Sequence, residues 1–73
     1  MATDPIAVGI KLLIEEKGFV QKSVAERAGL SPQQLSDMLN DRKIIKAVDL
    51  IPLSKALGVT VNDIYAAGLR GTQ

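Results

Sequence analysis

Two adjacent glutamines, Gln33 and Gln34, follow Ser31-Pro32, and Ser36 and Asp37 come just after them. A glutamine amide donates and accepts at once. Exposed, it matches an edge with the opposite pair of groups, such as adenine in a major groove. Asp37 either accepts from an amine such as cytosine N4 or repels phosphate. Taken alone, the pair reads first as two solvated glutamines on a helix surface, and only a surrounding motif turns the balance. A second group is basic. Arg42, Lys43 and Lys46 give residues 42–46 a charge of +3, while residues 1–20 and 21–41 each carry −1 and residues 47–73 are neutral. Such a cluster suits phosphate oxygens or forms a solvated loop, and its neighbours decide between the two.

The rest of the composition narrows the chemistry. The 73 residues hold 9 Lys+Arg against 8 Asp+Glu, a net charge of +1, with no His, Cys or Trp and one each of Tyr and Phe. That leaves no disulfide frame, no zinc-finger ligands and no Cys or His nucleophile or base. Ser23, Ser31, Ser36 and Ser54 have no histidine to activate them, and no glycine-rich phosphate loop is present. We expect no catalytic residue, no metal site and no cofactor. Few aromatics argue against platforms that stack single-stranded bases. Apolar residues make up 47%, too many for a disordered chain. The uncharged apolar runs fall far short of the roughly 20 residues a membrane span needs. Met1-Ala2-Thr3-Asp4-Pro5 has no basic leader segment. The expectation is one all-α cytoplasmic domain over residues 1–73, with its core in 5–67 and a flexible tail at 68–73.

Five helices must position these groups. Asp4-Pro5 reads as a cap followed by a first-turn proline, and Ile6, Ile10, Leu13 and Ile14 share one helical face. Gly18 ends that helix, and Gly9 inside it suits a close backbone approach. A second helix fits Gln21 to Ala28, stopped by Gly29. Ser31-Pro32 opens a third, to about Asn40, with Leu35, Met38 and Leu39 inward. Residues 41–48 form a basic connection. A fourth helix, capped by Asp49 so that Pro52 falls in its first turn, runs to Leu57 and stops at Gly58. Thr60-Val61-Asn62-Asp63 has the pattern of a capping box and opens a short fifth helix anchored by Val61, Ile64 and Tyr65.

The informative stretch is residues 21–40. Ala25 is small enough for two helices to cross closely, Gly29 supplies the positive φ of a sharp turn, and Leu30 plugs that turn into the core. The outer face of the following helix stays bare. In Val20-Gln21-Lys22-Ser23-Val24-Ala25-Glu26-Arg27-Ala28-Gly29-Leu30-Ser31 and Leu53-Ser54-Lys55-Ala56-Leu57-Gly58-Val59, the chain resembles the lambda-repressor-like helix-turn-helix domains of the phage repressor and Cro type, over about residues 6–67.

That resemblance implies a compact five-helix fold and a transcriptional regulator that binds double-stranded DNA. Residues 31–40 would form the recognition helix, with Gln33, Gln34, Ser36 and Asp37 reading bases. Gln21, Lys22, Asn40, Arg42, Lys43 and Lys46 would hold phosphates. Three to five such contacts give a salt slope of roughly −3 to −4 per monomer. Four positions depart from the family. Ile14 and Leu39 stand where relatives carry an Arg–Glu pair, so an apolar contact should replace it. Val20 stands where relatives often have a capping Ser or Thr. Asp41 follows Asn40 where glycine is common.

A single helix-turn-helix reads few base pairs, so a homodimer on a two-fold operator is expected. Its candidate contacts are Ile44, Ile45, Tyr65 and Leu69. Val8 and Leu12 are further apolar residues off the main stripe. The competing function is a protein-binding module of the same fold, an antitoxin or partner-controlled adaptor whose partner is a toxin or anti-repressor.

Overall fold

A computed structural model describes residues 4–40, 42 and 44–71. It contains helices α1 (Pro5–Lys17), α2 (Gln21–Arg27), α3 (Pro32–Leu39), α4 (Ala47–Leu57) and α5 (Val61–Gly71), with no strand among the described residues.

Local chemistry sets most of the helix ends. The Asp4 carboxylate accepts from the Ile6 N–H at 2.9 Å, and Pro5 occupies a first-turn site that needs no N–H. Gly18 closes α1 at φ 68°, with its own N–H bonded to the Glu15 carbonyl and that of Phe19 to the Ile14 carbonyl. This left-handed exit is open to glycine without a side-chain clash. Ser31 opens α3 with a full capping box. Its hydroxyl accepts from the Gln34 N–H at 3.1 Å, and its own N–H donates to Gln34 Oε1 at 2.8 Å. Thr60 and Asp63 do the same for α5, at 3.1 and 3.0 Å. Val20 contributes no side-chain cap to α2, as its apolar side chain dictates.

The core is one cluster drawn from all five helices. Ile10, Ala25, Leu35, Leu53 and Ile64 are wholly buried at its centre. Ile14 and Leu39 both belong to it, so the positions that carry an ion pair in relatives are apolar here. The α2–α3 turn follows the expected chemistry. Gly29 has φ 76°, the Leu30 N–H donates to the Ala25 carbonyl at 2.8 Å, and the Leu30 side chain packs against the core.

Three expectations need correction. First, α4 begins at Ala47, two residues before Asp49. Lys46 is the cap residue, and Asp49 sits in the first turn with its carboxylate accepting the Lys46 N–H at 3.3 Å. An aspartate fits either place, since both satisfy an orphan N–H. Pro52 therefore lies inside the helix, and Val48 forgoes the bond that residue 52 would otherwise donate.

Second, α5 does not give way to a tail at residue 68 but continues to Gly71. Its glycines are contact points against α1. A methyl group at Gly68 would overlap the Pro5 carbonyl oxygen, and one at Gly9 would overlap that of Ile64. A methyl at Gly71 would press on Leu12 and Val8. The last turns of α5 thus cover the two α1 residues left off the main stripe, and Arg70 reaches Glu16 at 3.3 Å.

Third, only Ile64 of the three α5 anchors is buried. Val61 and Tyr65 face outward, 39% and 47% exposed, because a surface helix packed on the core buries a single stripe.

Candidate nucleic-acid interface

Helix α3 divides by period. Leu35, Met38 and Leu39 are buried, while Gln33 and Gln34 are exposed and Ser36 and Asp37 half-buried. The four candidate base-reading residues thus lie clear of the core side. They are not idle side chains. Gln34 folds back over the start of its own helix in the capping box, with Oε1 on the Ser31 N–H. Gln33 Nε2 donates to Asp37 Oδ1 at 2.9 Å, one turn on. The sequence pattern shows the exposed face but not these bonds, which depend on rotamers.

The far end of α3 leads into the basic connection. Asn40 Nδ2 donates to the Ser36 carbonyl at 2.8 Å and lies 3.3 Å from the Ser36 hydroxyl, so the amide caps the last turn. The Arg42 N–H donates to the Asp37 carbonyl at 2.8 Å, which turns the backbone at Arg42 back onto the end of α3. Ile45 packs against the core and pins the connection, and Lys46 caps α4 from an exposed position. Arg42 and Lys46 are therefore exposed cations on a backbone tied at both ends. Lys43, the third cation, lies outside the described residues, as does Asp41.

Gln21 and Lys22 are exposed at the first turn of α2. With no side-chain cap from Val20, the N–H groups of this turn point outward unpaired within the helix. They form the positive end of a peptide dipole array, which favours an anion.

Among the dimer candidates, Ile44 is 81% exposed, and Tyr65 and Leu69 lie on one face of α5. Ile45 does not join them, because it packs inward. Some exposed apolar residues escaped the sequence reading. Val48 and Ile51 lie on the outer side of α4, 73% and 56% exposed.

Among the described residues, no group of three or more His, Cys, Asp or Glu is arranged to hold a metal ion, and no helix is long and apolar enough to cross a membrane.

Comparison with known proteins bears on the same elements. No curated protein sequence matches the chain significantly. Among solved structures, the clp gene regulator ClgR from C. glutamicum is similar, with a TM-score of 0.87 at 22% identity, over 97% of this chain and 92% of that one. At that identity the likeness concerns the fold. The helix-turn-helix family model matches residues 10–64, from the middle of α1 to the first turn of α5. With α2, the Gly29 turn and α3 inside that match, the chain belongs to the lambda-repressor-like helix-turn-helix family.

Proposed function

We propose that this protein is a sequence-specific transcriptional regulator that inserts α3 into the major groove of double-stranded DNA as a homodimer. The observation that carries this reading is the polar outer face of α3, with Gln33 and Gln34 exposed, flanked by exposed cations at Arg42 and Lys46. Membership of the helix-turn-helix family supports it. Gln33, Gln34, Ser36 and Asp37 face the bases. Arg42, Lys43, Lys46, Lys22, Gln21 and Asn40 face the phosphates on either side. The protein acts where DNA is, in the cytoplasm of a bacterial cell.

Two-fold pairing runs through α5. Val61, Tyr65 and Leu69 recur at every fourth residue and form an exposed apolar stripe. The molecule measures 30 × 24 × 21 Å. Two copies in contact can therefore place their recognition helices about 34 Å apart, one turn of DNA. A net charge of +1 gives one copy little non-specific attraction for DNA, so a second reading helix adds what a single one lacks.

The test is selection of bound sites from a pool of random duplexes. We expect a two-fold symmetric site with half-sites one turn apart. Enrichment of no duplex would refute the reading. Co-purification with a toxin-like protein, without duplex binding, would favour the partner-controlled module instead.

A further inference from the structure

We infer that the cavity between the α1–α2 turn and the outer side of α2 binds a small carboxylate with an apolar body, held by Arg27, and that its occupation weakens the hold of α2 on DNA. The first half stands on its own geometry. The second half rests on the DNA-binding reading above.

Gly18, Phe19, Val20, Ser23, Val24 and Arg27 line this cavity, whose volume is about 190 Å³. Val20, Ser23, Val24 and Arg27 recur at i, i+3, i+4 and i+7, so the helical period sets them on one side of α2. Val24 is buried, while Phe19 and Val20 are 37% and 64% exposed. The backbone that carries these walls is already fixed. The Phe19 N–H donates to the Ile14 carbonyl at 3.0 Å, and the Val24 N–H donates to the Val20 carbonyl at 3.1 Å.

The lining has one charge and one kind of wall. Arg27 is exposed and makes no ion pair among the described residues. Ser23 adds a hydroxyl that can donate, and no acidic side chain lines the cavity. A guanidinium fork matches a carboxylate through two parallel bonds. Phe19, Val20 and Val24 suit an apolar body and offer nothing to a hydrated inorganic anion. The volume lies below the roughly 300–1,000 Å³ of sites for drug-sized ligands, which selects a body of one ring or one short branched chain. The dipole at the end of α2 favours a cation there without any ligand, but it does not call for an open apolar cavity beside it.

The first turn of α2 carries Gln21 and Lys22, on the phosphate side of the proposed DNA interface. Arg27 lies six residues further on, about 9 Å along the axis. A bound carboxylate cancels the Arg27 charge at that distance. At low salt this should cost about twofold in DNA affinity per copy, about fourfold for a dimer.

The experiment titrates the full chain with benzoate and follows backbone amide signals by NMR. Signals of Phe19, Val20, Ser23, Val24 and Arg27 should shift and saturate with a Kd on the order of 1 mM. Benzamide, which lacks the charge, and acetate, which lacks the ring, should each bind at least about tenfold more weakly, the worth of one charge-assisted bond or one buried ring face. Arg27→Gln, a change at an exposed side chain, should abolish the benzoate shifts while the remaining signals keep their places. Shifts that fail to saturate, that survive Arg27→Gln, or that benzamide or acetate matches would overturn the site. Duplex affinity is then measured in low-salt buffer with benzoate against equal acetate. The wild type should lose about fourfold in benzoate, and Arg27→Gln should lose nothing. Unchanged wild-type affinity at saturating benzoate would overturn the regulatory half alone. No duplex bound by the wild type would overturn that half together with the regulator reading, and would leave the site standing on its shifts.

Discussion

Single residues in this chain carry their roles through which atoms are already bonded. Gln34 is at once an exposed glutamine and the structural partner of Ser31, so an alanine there removes a cap as well as a contact. Asn40 similarly uses its amide on Ser36, and its nearness to the basic connection comes second to ending α3. Val20 is the opposite case, a cap position without a capping group. Its backbone, φ −90° and ψ 127°, already has the extended form of a cap residue. Val20→Thr keeps the branched shape and adds an acceptor for the first turn of α2. It should raise stability by about 1 kcal/mol, seen as a higher Tm in thermal melts. An unchanged or lower Tm would mean that these N–H groups are already satisfied by solvent.

At the level of elements, the start of α1, the α2–α3 turn, the start of α3 and the start of α5 were all legible in the sequence. Each is set by a short-range bond between residues two to five apart. The start of α4 and the end of α5 were not. Asp49 suits two positions in a helix start, and the preference of proline for a first turn favoured the wrong one. Gly68 and Gly71 look like helix breakers until α1 is seen against them. In the site, exposure of Gln33 and Gln34 followed from the period of Leu35, Met38 and Leu39, but their bonds to Asp37 and Ser31 did not.

The α1–α5 contact gives a prediction whose sign separates local from tertiary effects. Helix propensity alone would make Gly9→Ala stabilising by about 1 kcal/mol. Overlap with the Ile64 carbonyl should instead destabilise by about 3 kcal/mol, measured by urea denaturation. A gain in stability would contradict this packing.

The same scale holds the clearest dependence on acid. The Thr60 backbone N–H, then its hydroxyl, hold the Asp63 carboxyl below its ordinary value, with a smaller push from Lys17. A lowered value means stability that is fully present above the usual aspartate range and is lost as pH falls through the depressed one. Asp63→Asn should therefore be less stable than wild type at pH 7. The two should converge as pH falls through the depressed value of the Asp63 carboxyl, in denaturation curves recorded into the acid range.

The whole molecule is nearly neutral yet uneven. Its surplus of positive charge falls in residues 42–46, directly after α3 in the chain, while the other segments are neutral or slightly negative. Binding should therefore be local, salt-sensitive and weak for one copy. A dimer making the same contacts twice should show a salt slope of roughly −6 to −8. Lys46→Ala should flatten it by about 2 for the dimer, one contact per copy, in titrations at several salt concentrations. A slope unaffected by that change would remove Lys46 from the phosphate face.

The most direct measurement compares equilibrium binding of the wild type and the Gln33→Ala, Gln34→Ala double variant to the selected duplex and to an unrelated one. The account predicts that the variant loses about a hundredfold in affinity for the selected duplex, as expected for two base contacts, and keeps wild-type affinity for the unrelated duplex. Equal affinity of both proteins for the selected duplex would contradict it, because the outer side of α3 would then not be the surface that meets the bases.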